Sequence, residues 1–373
     1  MEPDEILQAA LARAASAQHQ TLVTDDSLRE RIEFICRCTS NRSCVRLLLS
    51  CLVAKIHKPQ VDIRKPYTEI GTPDCFSGRS YDEHSLAPFL AENRLPVNPT
   101  TAFLTPVLRN IHLPLALDVE LIGRPRELYQ KTLLLLDDLA AGRIAAHIVL
   151  AESIRVLLAL RDEKLARIDS LVDSLRRAQD AVPLSSEAIL RLISQHLACN
   201  NASRLPVLIF TAAYRILASG WNERAKPLNA HNAADRQTGA LGDIEIYLVG
   251  DEAIVTVYEM KCKRVTRDDI DLAKLKIART EQRIQNYLFV TTDAIDPSIA
   301  EYAAAFYEES GGVEIVVLSC LGFLQHFLHL FHRHRMAYLN EYQSLVLQEP
   351  DSAVSQSLKE AFLALRNALE SGE

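Results

Sequence analysis

The segment GDIEIYLVGDEAIVTVYEMKCK, from Gly242 to Lys263, constrains the fold more than any other, because apolar residues recur at every second position on either side of a Gly-Asp-Glu stretch. Period two is strand periodicity, and the short connection makes the two runs an antiparallel hairpin. With a three-residue connection at Gly250, Asp251 and Glu252, Val249 opposes Ala253, Tyr247 opposes Val255, Glu245 opposes Val257, and Asp243 opposes Glu259. Ile244, Ile246, Leu248, Ile254, Tyr258 and Met260 then line an apolar face, while Asp243, Glu245, Glu259 and Lys261 share the other. Two carboxylates about 5 Å apart repel by roughly 3 kcal/mol in an effective dielectric of about 20, against about 0.2–1 kcal/mol from a favourable cross-strand pair. Such a face needs a cation, supplied either by Lys261 or by a divalent metal that takes oxygen ligands from Asp243, Glu259 and Glu245.

The surroundings of the hairpin give it a fold class. Helical periodicity over about 187–198 and 205–219 leads through a polar loop, WNERAKPLNAHNAADRQTGA, into the hairpin. A helix over about 268–284, a strand NYLFVTTD, a helix over about 297–309, a strand VEIVVLS and a helical tail from Cys320 follow. This is an α/β order with a parallel crossover, which predicts a central mixed sheet with flanking helices. The amino-terminal half is different. Helices are expected up to about residue 60, one capped by Asp25, Asp26 or Ser27 and one apolar from Val45 to Ile56, then a long ordered loop region from Lys58 to about Arg126, rich in Pro, Thr, Gly and Asn. Pro125 marks a helix start, and Glu127 to about Arg177 reads as two long helices broken near Gly142. The stretch QDAVPLSSEA divides a mainly helical domain, 1–183, whose loops suit DNA recognition, from the α/β domain, 184–373.

Charge and composition narrow the partners. A formal net charge of -7 gives no global attraction to nucleic acid, so a polyanion would have to be held by a local basic patch. CKRVTRDDIDLAKLKIAR offers one in Lys263, Arg264, Arg267, Lys274, Lys276 and Arg279, although Asp268, Asp269 and Asp271 make it equally a solvated helix face. Arg79, Tyr81, Asp82, Arg109 and Asn110 in the loop region are of types suited to base edges and phosphates, and equally to a hydrogen-bonded loop core. His231 and Asp235 more often satisfy loop backbone than reach a site. The acidic start MEPDEILQAALARAA lacks the basic residues of a signal peptide and VRLLLSCLVAKI is too short to span a bilayer, so a cytoplasmic protein with no membrane partner is expected. Cys36, Cys38, Cys44 and Cys51 lack paired metal-ligand spacing and read as core; His326, His329, His332 and His334 alternate with Phe and Leu and read as one packing helix.

An acid two residues before a lysine is weak evidence alone, since Asp162 and Lys164 repeat it in a helix. An Asp on one strand and Glu-x-Lys on the next, between helices of an α/β core, resembles the PD-(D/E)xK nuclease fold, with Gly242 where that pattern has a proline. The segments PYTEIG, FSGRSYDE, LPVNPTTAFLTPVLRN, GRPRELY, SRLPVLIFTAAYRIL, LNAHNAADRQTGALGDIEIY and VYEMKCKRVT resemble the SacI family of type II restriction endonucleases over about residues 60–270. The resemblance implies a restriction-endonuclease-like core and Mg²⁺-dependent hydrolysis of both strands of a short double-stranded DNA site, with GAGCTC the first to try. It assigns Asp243, Glu259 and Lys261 as catalytic and Asp243, Glu259 and the Met260 carbonyl as metal ligands, with Glu245 a further donor. Lys263, Arg264, Arg267, Arg79, Tyr81, Arg109, Asn110 and His231 are its DNA-contact candidates. It also implies a homodimer, because a palindromic site matches a two-fold protein, and a cognate DNA methyltransferase. The alternatives are a structure-specific repair or recombination nuclease and a non-enzymatic DNA-binding protein.

Overall fold

Helix α3 (Ser43–His57) is apolar nearly all round, and a helix of that kind has to be surrounded by protein. In the computed structural model, which describes residues 1–17, 20–109, 111–177, 183–217, 220, 222–228, 240–250 and 253–371, every residue of α3 from Ser43 to Ala54 is buried. Helices α1 (Pro3–Ser16), α2 (Asp26–Arg37) and α6 (Arg126–Ala140) pack around it. Asp25 caps α2 by accepting the Leu28 amide, and α6 starts after Pro125, as the sequence predicts. The break at Gly142, whose φ is 69°, separates α6 from α7 (Ala146–Arg177). Among the described residues no helix is long and apolar enough to cross a membrane, and the eight cysteines are free thiols.

The region 58–126 is more helical than its composition suggests. Short helices α4 (Gly78–Tyr81) and α5 (Ala87–Glu92) are joined by a π-helical turn, Asp82–Leu86. A tertiary pair holds that turn: Arg46 of α3 donates Nε to both Asp82 oxygens at 2.9 and 3.0 Å and Nη2 to Oδ1 at 2.7 Å.

The chain divides into two compact units at Ala166/Arg167, inside α7, rather than after Pro183. The reason lies in the helix itself. Its first part supplies Val149, Leu150, Ile154 and Leu157 to the first unit's core, whereas Ile168, Leu171, Val172 and Leu175 belong to the core of the second.

The second unit is built on a five-stranded sheet, in the order β1 (Glu223–Ala225), β2 (Ile244–Leu248), β3 (Ile254–Lys261), β4 (Asn286–Thr291) and β5 (Glu314–Ser319) among the described residues. Strands β1–β2 and β2–β3 pair antiparallel, and β3–β4 and β4–β5 pair parallel. β1 falls in the stretch expected to be a polar loop. One sheet face packs Ile244, Ile246, Tyr258, Leu288 and Val290 with α8 (Ser186–Leu197) and α9 (Leu205–Leu217). The other packs Val257, Tyr287, Phe289 and Ile315 against Ile270 and Ala273 of α10 (Arg267–Arg279) and Ala303 of α11 (Pro297–Ala304). A short α12 (Phe306–Ser310) precedes β5, and α13 (Cys320–Leu330), α14 (Arg335–Gln348) and α15 (Gln356–Ser371) complete the unit. Helices on both faces of a mixed sheet are the expected α/β class, and β4, buried along most of its length, is its central parallel strand.

The hairpin register holds at its open end and fails near its turn. Glu245 pairs with Val257 as predicted, and Ile244 with Tyr258, but Tyr247 pairs with Ile254 instead of Val255. The shift lies between Ile246 and Tyr247, where β3 has one residue too many for its partner. That extra residue turns Ile254 onto the face of Val257, so Ile254 leaves the apolar face assigned to it and joins the opposite core. Asp251 and Glu252 of the connection lie outside the described residues.

Candidate active site

Period-two alternation at the end of β3 puts Glu259 and Lys261 on the face of Val257, over α10. Lys261 donates Nζ to Glu259 Oε1 at 3.1 Å and stands 3.1 Å from Asp269 Oδ1. Asp269 sits in the first turn of α10, where a capping box fixes it: its Oδ2 accepts the Thr266 amide at 3.0 Å and the Thr266 hydroxyl at 2.8 Å. Two turns later on the same flank, Lys276 places Nζ 3.5 Å from Glu259 Oε2 and donates to the Leu241 carbonyl at 3.1 Å. Tyr287 of β4 reaches the same carboxylate from below, its hydroxyl 3.3 Å from Glu259 Oε2. The four charged side chains are 14–20 % exposed, shielded but within reach of water.

Burial alone would lower the Lys261 ammonium, yet the charge of Glu259 and the hydrogen bond to Asp269 outweigh it and hold Lys261 above the ordinary lysine value. Burial likewise raises the Asp269 carboxyl, but its bonds to Thr266 and Lys261 outweigh that and leave it below the ordinary carboxylate value. Lys261 is therefore a fixed cation at neutral pH. It can orient a water or a phosphate oxygen, but it is not a free base.

Asp243 arrives just before β2. Its amide donates to the Tyr258 carbonyl at 2.8 Å, and its Oδ2 accepts the Met260 amide at 2.7 Å, a place that a ladder carbonyl would otherwise fill. The carboxylate thus rests on the backbone between Glu259 and Lys261. Gly242 makes this approach possible: a Cβ there would meet Val257 Cγ1 at 2.6 Å and the Tyr258 carbonyl oxygen at 2.7 Å, so a proline at this position would not fit. Glu245 is committed elsewhere, accepting the Leu241 amide at 2.7 Å and pairing with Lys226 at 3.2 Å beside a cleft of about 310 Å³ lined by Gly242, Asp243, Thr280 and Gln282.

Among the described residues, no three His, Cys, Asp or Glu side chains are gathered so as to hold a metal ion. The counter-cations of Glu259 in this structure are Lys261 and Lys276. The donor chemistry still suits a hard cation, since Asp243, Glu259 and the Met260 carbonyl are all oxygen donors, and Mg²⁺ commonly takes one or two carboxylates and keeps several waters.

The basic patch divides. Lys263, Arg264 and Arg267 are exposed beyond β3, Arg264 lying 3.8 Å from Asp293 and Arg267 stacking over the Tyr302 ring at 5.1 Å. Lys274 is taken up by Glu309 at 3.0 Å, and Lys276 points at Glu259 rather than outward. In the first unit, Arg79 pairs with Glu83 at 2.7 Å, the Tyr81 hydroxyl is 2.7 Å from His57 Nδ1, and Arg109 is exposed. Asp82 is fully buried and cannot meet a base. Asn110, His231 and Asp235 lie outside the described residues. The four histidines are exposed and do not share one helix: α13 ends at Leu330 and a separate 3₁₀ turn holds His332–His334.

Sequence reasoning missed Asp269, Lys276 and Tyr287 as neighbours of Glu259 and Lys261. Their signal was present in part, because Thr266 and Asp269 have capping-box spacing and Asp269 and Lys276 are seven residues apart on one helix. No protein-family model matches this chain, and no curated protein matches it either.

Proposed function

We propose that the second unit hydrolyses phosphodiester bonds of double-stranded DNA with Mg²⁺, and that the chain is a type II restriction endonuclease of the PD-(D/E)xK kind, similar to the SacI family. The observation that carries the reading is the convergence at one end of β3: Glu259 and Lys261 on one face, Asp243 bonded to the intervening Met260 amide, and a parallel crossover through α10 immediately after. Bound there by Asp243 and Glu259, with the Met260 carbonyl, Mg²⁺ would lower the pKa of a coordinated water and share charge on the phosphate. Lys261, kept protonated by Glu259 and Asp269, orients the attacking water against the scissile phosphate. Lys263, Arg264 and Arg267 supply the local positive charge that an acidic chain needs to approach DNA.

Incubation with plasmid DNA and Mg²⁺ is expected to give discrete fragments whose sequenced ends share one short palindrome, with GAGCTC the first candidate. Glu259→Ala and Lys261→Ala are each expected to reduce cleavage by about 10³-fold or more, roughly 4 kcal/mol of transition-state stabilisation, while binding to DNA in Ca²⁺ persists. Unchanged cleavage in either variant rejects the site. One observation favours a second reading, a DNA-binding protein without catalysis: Glu259, Asp269, Lys261 and Lys276 neutralise one another without a metal. That reading predicts no cleavage under any divalent cation, and binding that survives both substitutions.

A further inference from the structure

Each side of α10 has a different task. Ile270 and Ala273 face the core, Asp269 and Lys276 face Glu259 and Lys261, and Asp271 and Lys274 face the Tyr302 ring or hydroxyl. The remaining side, at i, i+4, i+7 and i+11, carries Asp268, Leu272, Leu275 and Arg279. All four are exposed, and the two leucines are 54 % and 51 % exposed, whereas Ile270 and Ala273 of the same helix are buried.

The order acid, Leu, Leu, base is self-complementary. If a second copy of α10 lies antiparallel across this side, with the two-fold axis between Ala273 and Lys274, Asp268 opposes the second copy's Arg279 and Leu272 opposes the second copy's Leu275, and each contact occurs twice. An acid in the first turn and a base in the last also suit the helix dipole. The dipole gives no reason for two leucines in water between them on the same side.

We propose that this side of α10 is an isologous interface at which two copies of the chain associate. The proposal stands independently of the nuclease reading. Its consequence for that reading is a spacing: related by this axis, the two copies of Asp269, each holding its Lys261, lie about 14 Å apart along the helix axes. One 13-residue helix pair buries less than the roughly 1,200–2,000 Å² of a stable dimer interface, so the association is concentration-dependent.

Sedimentation velocity of the full chain, from micromolar to near-millimolar concentration, is expected to follow a monomer–dimer equilibrium. Leu272→Asp and Leu275→Asp are each expected to weaken it by about tenfold or more without loss of folding, because both sites are exposed. Asp268→Arg and Arg279→Asp should each weaken it by setting like charges opposite, and the double exchange should restore it, since opposite charges again meet across the axis. If the two charges serve only to cap the helix, the double variant is the least thermally stable and association never responds. A chain that stays monomeric throughout, a dimer indifferent to both leucine substitutions, or a double exchange no better than either single one overturns the proposal.

Discussion

Each unit has a cluster of charged side chains near its core, and the two clusters differ in closure. In the first unit Arg46 and Asp82 are 5 % and 0 % exposed; Asp82 accepts three bonds from Arg46 and one from Thr101 at 2.8 Å, and Arg46 also donates to the Asn98 carbonyl. Each Arg46 nitrogen and each Asp82 carboxylate oxygen has a partner within the protein. In the second unit Glu259, Lys261, Asp269 and Lys276 are reached by water from one side. A closed pair fixes a loop to a helix and has nothing left for a ligand. An open cluster, adjustable because solvent can replace any one partner, is where chemistry can occur.

The comparison breaks most easily at Asp82. Asp82→Ala leaves the Arg46 guanidinium buried without its anion, and is expected to cost about 3–5 kcal/mol. Urea unfolding checks this, and a loss below about 1 kcal/mol would mean that water already reaches the pair.

Closure rather than the choice of unit should decide the size of such effects, and His196 tests this within the second unit. It is fully buried between the Tyr342 hydroxyl and the Leu358 carbonyl, each 3.0 Å from a ring nitrogen. Burial holds its pKa down to about 4 from 6.5, a shift that the Leu358 carbonyl opposes only in part. The folded imidazole therefore stays neutral while the unfolded one takes a proton, and stability is complete above about pH 6.5 and is lost as the pH falls toward 4. The expected loss over that window approaches roughly 3 kcal/mol. Unfolding at pH 7.5 and 5 should show it, and His196→Gln should flatten the slope in this range.

The same contrast explains what could be read from the sequence. Local periodicity announced β2, β3, β4, β5 and most of the helices, but the register expected from a three-residue turn holds at Glu245–Val257 only because the extra residue in β3 offsets the different pairing next to the turn. Features set by distant contacts were not legible. The extra residue in β3 has no glycine to mark it, β1 is three residues of mixed polarity, and the turn at Asp82 depends on Arg46, 36 positions away. Likewise Lys276 has the look of a solvated helix lysine until the Leu241 carbonyl and Glu259 come to meet it. The division at Ala166 leaves no compositional trace because α7 runs through it unbroken.

The smallest expected effect on stability comes from Asp269→Asn, and it sharpens the comparison further. Asparagine keeps a side-chain oxygen for Thr266, so the cap of α10 survives and only the charge beside Lys261 is lost. In an open cluster the change in stability is expected to stay within about 1 kcal/mol at pH 7, since water and Glu259 still serve the ammonium. The effect on Lys261 is more specific. Its folded pKa lies above the ordinary lysine value partly because of Asp269, and the stability this contributes is present below the unfolded pKa and is lost as the pH rises through the folded one. Without Asp269, Lys261 gives up its proton at a lower pH. If the protonated lysine is what orients the attacking water, the alkaline limb of the cleavage rate moves to lower pH in Asp269→Asn, with the plateau below it little changed. A fall in rate that is uniform with pH would instead mean that Asp269 acts only by shaping the start of α10.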